Sequence, residues 1–152
     1  MQAMPASTSG SEGRIVGVTE VSWQTDAEVV DRLGECGAVP KRGGGPPHPT
    51  SGFYPYLSCM AVLPAWRRKR VASALIAEAE REAERWGFRY IALHVYAKND
   101  RARELYSRCG YEVVEVDPWW RNFPDERREL RVKWLNPAGR QRAGPEERIS
   151  AA

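Results

Sequence analysis

The stretch from Tyr56 to Tyr96 constrains the fold more than any other part of the chain. Tyr56–Leu63 reads Tyr-Leu-Ser-Cys-Met-Ala-Val-Leu, an apolar run of strand length that ends at Pro64. From Val71 the period changes. Val71, Ala72, Leu75, Ile76, Ala79, Ala83 and Trp86 recur at helical spacing, while Glu78, Arg81, Glu82 and Arg85 face water. Gly87 closes this helix, as glycine does where the chain must turn left-handed. Tyr90–Tyr96 is a second buried strand. A strand–helix–strand unit of this kind predicts a mixed α/β domain.

The flanking segments fit around that unit. Arg14–Trp23 alternates as Ile15, Val16, Val18, Val21 and Trp23 around Gly17 and reads as a strand. A short helix over Asp26–Leu33 would set Val29, Val30 and Leu33 on one side. The segment 24–52 is a long loop. Within it the glycine- and proline-rich run Lys41–Pro49 cannot pack and is expected to be mobile, hence functional or disordered. Asn99–Cys109 reads as a second helix, with Asn99 as its cap, Ala102, Leu105 and Tyr106 on one face, and Gly110 as its stop. Tyr111–Val116 and Arg127–Leu135 are strands, the latter alternating Leu130, Val132 and Trp134 against charges. Between them Asp117–Pro124 forms a wide loop carrying Trp119, Trp120 and Phe123. One domain over 14–135 is expected, with a disordered tail at 1–13 and a frayed, polar one at 136–152. The small, polar start at Met1–Glu12 reads either as a disordered tail or as the remnant of a trimmed transit sequence.

Charge and cysteines narrow the function classes. A formal charge of +3 over 152 residues permits an anionic ligand but does not argue for nucleic acid, which asks for a clustered basic face. Three cysteines, Cys36, Cys59 and Cys109, are an odd set without metal-ligand spacing, so no metal is expected and a reducing compartment is the simpler setting. No apolar run is long enough for a membrane span.

The basic run Arg67-Arg68-Lys69-Arg70 lies between the first buried strand and a helix start. Exposed helix N-termini favour anions, so each cation there costs roughly 0.3–1 kcal/mol. A solvated charge run is the plain reading; a bound polyphosphate, held by the helix amides and the guanidiniums, explains the position better.

Two motifs then point to one family. Val62-x-Pro64-x-x-Arg67-Arg68-x-Arg70-Val71-Ala72 resembles the acetyl-CoA-binding motif of the GNAT acetyltransferase superfamily, usually written Q/R-x-x-G-x-G/A. Asn99-x-x-Ala102-x-x-Leu105-Tyr106-x-x-x-Gly110-Tyr111 resembles its second motif, at the expected distance. The resemblance covers Arg14–Leu135 and implies a mixed, mostly antiparallel sheet around a strand–helix–strand–helix core. It also implies acetyl-CoA as cosubstrate and transfer of its acetyl group to an amine. Coenzyme contacts would come from Arg67, Arg68, Lys69, Arg70, Val71, Ala72 and Ser73 at the turn. Met60, Ala61 and Val62 would offer backbone groups to the pantetheine arm and the thioester oxygen. Trp86-Gly87, Leu93-His94-Val95 and Asn99 look most like plant and algal plastid members, which sets the plastid beside the cytoplasm as an expected compartment.

Two departures from the pattern stand out. The family's glycine is Arg70 here and another is replaced by Arg68; glycine at such a turn takes a positive φ or lets backbone approach phosphate. The strand and two helices that usually open the family's fold, and form a wall of the acceptor groove, are expected to be missing. An exposed sheet edge would then invite a homodimer.

Amine acetylation needs a base for the ammonium, donors for the oxyanion and an acid for the thiolate. Tyr106 occupies the position of the family's usual general acid, or is a core tyrosine beside Leu105. His94 shares a strand face with Tyr90, Ala92 and Tyr96. It matches a position where some N-terminal acetyltransferases of the family carry a glutamate base, and it also reads as a strand histidine satisfied by a neighbour. Asn99 is a helix cap, a pantetheine contact, or both. Trp119, Trp120 and Phe123 line an acceptor groove or cover a sheet edge. The cysteines look structural. The leading expectation is therefore an N-acetyltransferase acting by direct attack on a protein N-terminus or lysine, or on a small amine. A degenerate coenzyme- or partner-binding domain and a nucleic-acid module on Arg67–Arg70 are its rivals.

Overall fold

The computed structural model describes residues 13–37, 52–118, 120 and 126–135. The two expected tails, the Lys41–Pro49 loop, and Trp119 and Phe123 of the aromatic connection lie outside the described residues. The elements run β1 (Gly17–Gln24), α1 (Ala27–Glu35), β2 (Tyr54–Val62), a 3-10 turn (Pro64–Trp66), α2 (Val71–Arg85), β3 (Tyr90–Tyr96), α3 (Asp100–Arg108), β4 (Glu112–Val116) and β5 (Arg128–Trp134). Each expected element is present, with ends shifted by a few residues: β1 begins at Gly17 rather than Arg14, and β2 starts earlier, at Tyr54.

The strands form one sheet in the order β1-β2-β3-β5-β4. All neighbours are antiparallel except β2 and β3, joined in parallel by the α2 crossover. β3 is buried along most of its length because its two faces feed two cores. Ile91, Leu93 and Val95 pack with Leu57 of β2, Ile76, Ala79 and Ala83 of α2, and Tyr106 of α3. Tyr90 and Ala92 pack on the other face with Leu33 of α1, Tyr54, Leu130 and Val132. A strand buried on both sides reads as a continuous apolar run, which is how Tyr90–Tyr96 reads in the sequence.

Gly17 sets how closely α2 approaches the sheet. A Cβ there would lie 3.1 Å from the Ala61 carbonyl oxygen, Leu75 Cδ1 and Val71 Cγ1, so the first turns of α2 rest directly on β1 and β2.

Two of the charges on β5 do not face water. Glu129 and Arg131 are 5% and 4% exposed, covered by α3. One Glu129 oxygen accepts from Arg103 Nε (2.8 Å), and the other accepts from Arg131 Nε and Nη2 (2.8 and 2.6 Å). Arg131 Nη1 donates to the Arg103 carbonyl (3.1 Å) and Ser107 Oγ (2.7 Å), so a buried guanidinium clamps α3 on either side of Tyr106. Lys133, next on the same face, reaches Glu80 of α2 at 2.6 Å. Breaking one partner of such a pair strands a buried charge at a cost of about 3–5 kcal/mol. Arg131→Met should therefore lower the free energy of unfolding by about that amount in urea titration, while Arg108→Met, on an exposed pair, should change it by less than about 1 kcal/mol.

Candidate functional site

The site grows from the way β2 and β3 meet. These parallel strands register at one pair, Tyr56 with Ala92, whereas β3 and β5 register along their full length. Beyond Tyr56 the carboxyl end of β2 is paired to β1 alone, so the backbone groups of Leu57–Val62 that face β3 are not spent on a ladder. The gap opens at the carboxyl ends of the strands, where α/β sheets bind ligands.

A bulge shapes that end of β2. The β1–β2 register slips between Val18 and Glu20, so that Cys59 and Met60 oppose Thr19, and Cys59 takes φ 52°. Thr19 Oγ1 donates to the Ser58 carbonyl at 3.2 Å and holds the kink. Such bulges re-aim backbone groups beside active sites. Met60 is half-buried against the α2-side core, and Ala61 is exposed. The bulge was not legible beforehand: Cys59 sits inside an apolar run with no glycine to mark it.

The basic turn follows directly. Arg67 Nε donates to the Val62 carbonyl (3.3 Å), tying the turn to β2, and the Lys69 ammonium lies 4.9 Å from the Trp66 ring centroid. Arg68 and Arg70 both have φ 63°, and Arg70 is the N-cap residue of α2. These are the two positions where the family resemblance led glycine to be expected. Each left-handed arginine costs about 1–2 kcal/mol. Left-handed residues thus flank Lys69, a backbone pattern from which anion-binding concavities are built. The side chain of Arg70 makes no cap hydrogen bond, and no acidic residue stands in the first turn of α2, so this helix start is basic and is not capped by its own N-cap residue.

Two titratable groups approach the gap from opposite faces. Tyr106, buried on α3, rests edge-on to Tyr111 at 5.6 Å. Burial, with the nearby Tyr56, raises its pKa and keeps the phenol protonated. His94 is half-buried on the α1 face, its Nδ1 3.0 Å from the Tyr56 hydroxyl. Burial, reinforced by Arg128, lowers its pKa, so the imidazole is neutral at pH 7. Tyr56 thus pairs with His94 and lies near enough to Tyr106 to influence its pKa; sequence reading passed over it as a strand residue. Asn99 caps α3 by accepting from the Ala102 N–H at 3.2 Å, which accounts for its placement without a ligand. The structure brings Tyr56 and His94 together on the α1 face, places Tyr106 in the core on the opposite face, and sets Arg67–Ser73 beyond the far end of β2. No cluster of side chains suited to a metal ion occurs among the described residues. No described helix is long and apolar enough to cross a membrane.

Comparison with known proteins adds to this geometry. Residues 9–111 match the family model described as Acetyltransferase (GNAT) family. The chain is 36% identical over 110 residues to "GCN5-related N-acetyltransferase 10, chloroplastic" of Arabidopsis thaliana, a match covering 72% of this chain and 37% of the relative. It is 30% identical over 139 residues to "GCN5-related N-acetyltransferase 4, chloroplastic" of the same plant, covering 88% of this chain and 43% of the relative. The chain thus spans less than half the length of these relatives. Its fold resembles that of Arabidopsis thaliana NAA60 in complex with a bisubstrate analogue, with TM-score 0.57 and 21% identity, over 88% of this chain and 72% of that one.

Two outcomes check this geometry. Arg70→Gly relieves a left-handed side chain and Lys69→Gly does not, so Arg70→Gly should be the more stable of the two by about 1–2 kcal/mol in urea titration. His94 is held below its unfolded value of about 6.5, so the stability it contributes is complete above that pH and lost as pH falls through the folded value. Its imidazole resonance, assigned with His94→Gln, should titrate with a midpoint below 6.5.

Proposed function

The chain belongs to the GNAT acetyltransferase family, and from that premise we propose that it transfers the acetyl group of acetyl-CoA to a primary amine by direct attack. Its acceptors on this reading are protein N-termini and lysine side chains. The observation that carries it is the arrangement at the gap: a neutral, hydrogen-bonded histidine on one face, a protonated phenol on the other, and an uncapped, basic helix start at the end of the strand between them.

Acetyl-CoA supplies the activated acyl group. The left-handed turn and the first amides of α2 hold its pyrophosphate, with Arg67, Arg68 and Arg70 adding charge-assisted contacts. The unspent backbone of Met60–Val62 runs beside the pantetheine arm and presents an N–H to the thioester oxygen. His94, steadied by Tyr56, accepts the ammonium proton, so that the amine lone pair can form the new C–N bond. As the C–S bond breaks, Tyr106 gives its proton to the departing sulfur. A base titrating below about 6.5 matches an α-amine near pKa 8 better than a lysine near 10.4, which favours N-termini. The chloroplastic relatives support a plastid setting.

A second reading is a coenzyme-binding domain without catalysis, and the strain at Arg68 and Arg70 favours it. Incubation with acetyl-CoA and a peptide and amine library, read by mass spectrometry, separates the two: acetylated product supports transfer, and tight coenzyme binding without product supports the second reading. On the catalytic reading, Tyr106→Phe should lower kcat about 100-fold with little change in KM for acetyl-CoA. Unchanged turnover removes Tyr106 from the mechanism. Arg67→Ala with Arg68→Ala should weaken acetyl-CoA binding in calorimetry.

A further inference from the structure

The bulge in β2 changes which core the strand feeds. Tyr54 and Tyr56 pack in the α1-side core and Leu57 in the α2-side core, as alternation requires. A regular strand would send Met60 to the α1 side with Tyr56. Met60 instead packs against the core of Leu57 and Ile76. The extra residue at Cys59 has shifted the phase by one, and the backbone shifts with it. Each strand residue turns its N–H and C=O toward one neighbour, and the next residue turns them toward the other. Beyond Cys59, the residues whose N–H groups point away from β1 are therefore those that an unbroken strand would have paired to it.

The side chain of Cys59 does not account for its conformation. A φ of 52° is unfavourable for a residue with a Cβ, and the side chain is exposed, so burial does not offset it. Two anchors hold the bulge from outside. Met60 is seated in the α2-side core, and the Ser58 carbonyl accepts from Thr19 Oγ1 of β1 at 3.2 Å. Thr19 is placed for this by its own strand. It stands opposite the two bulged residues, half-buried, on the same face of β1 as Gly17 and Val21, which meet α2 and its core.

We propose that Thr19 is a positioning residue for acetyl transfer: its hydroxyl sets the phase of β2 and so aims the N–H that meets the thioester oxygen. This role rests on the reading of Met60–Val62 as the strand beside the thioester. Thr19 acts through the Ser58 carbonyl and not on the substrates. Its effect grows during the reaction, because the carbonyl oxygen gains charge as the amine attacks and a misaimed donor then loses most. Coenzyme affinity, set mainly at Arg67–Ser73, is left nearly unaltered.

Thr19→Val keeps the shape, suits a strand and removes the hydroxyl. In acetylation assays its kcat should fall about tenfold or more, with KM for acetyl-CoA changed by less than about twofold. Thr19→Ser keeps the donor and should recover most of kcat; Thr19→Ala serves the same test if valine prevents folding. Calorimetry gives a readout without turnover. Acetyl-CoA has the carbonyl that CoA lacks, so the unaltered protein should bind acetyl-CoA about fivefold more tightly than CoA. Thr19→Val should bring that ratio toward one. Unchanged kcat in Thr19→Val, or kcat lost equally in Thr19→Val and Thr19→Ser, overturns the proposal and leaves acetyl transfer standing. If the unaltered protein acetylates nothing, the catalytic reading fails and the affinity ratio decides the role of Thr19. A ratio that drops in Thr19→Val supports it, and an unchanged ratio overturns it.

Discussion

The parting of β2 and β3 after the single pair Tyr56–Ala92 is the constraint on which the rest of the site depends. Two parallel strands that stayed in register would consume each other's backbone groups and close the sheet. Because they separate, β2 carries unspent N–H and C=O groups toward α2, and side chains from both faces of the sheet reach one gap. α2 fills the crossover, and Gly17 lets its first turns sit against β1 and β2. The basic turn is thereby fixed at the end of the strand with the open edge. On the proposed reading, coenzyme-binding backbone, acid and base all follow from one divergence.

Holding Tyr106 at that gap falls to an ionic network rather than to apolar packing alone. α3 is short and strongly polar, and a nine-residue helix is marginal by itself. Arg131 and Glu129 seat it from below through the Arg103 carbonyl, the Arg103 side chain and Ser107. A buried pair of this sort adds little net stability over an apolar replacement, but it fixes a position, since only one placement of α3 satisfies every donor. The opposite face of the sheet follows another logic. There α1 and the ends of β4 and β5 leave an open, acidic cavity against Tyr56 and His94.

Much of this organisation was legible beforehand. Helical spacing from Val71 to Trp86, the buried runs at β2 and β3, and the stops at Gly87 and Gly110 correspond to observed elements, and both glycines have positive φ. Asn99 was read as a cap and is one. The alternation of β5 was read correctly, but alternation shows only that two faces differ and not what covers the polar one, so the burial of Glu129 and Arg131 was not legible. Tyr56 was missed because the partner that singles it out, His94, lies on another strand far along the chain.

The sequence by itself determined the order of elements, the strand–helix–strand core and the position of a basic, uncapped helix start, since these rest on local periodicity, local charge and turn chemistry. Only the tertiary structure decided that Arg68 and Arg70 take left-handed backbone, that Cys59 bulges, that Glu115 turns to the cavity and that Tyr56 meets His94. Each of these follows from register between strands, or from how closely a helix rests on a sheet. Such contacts join residues far apart in the chain, and no local pattern records them.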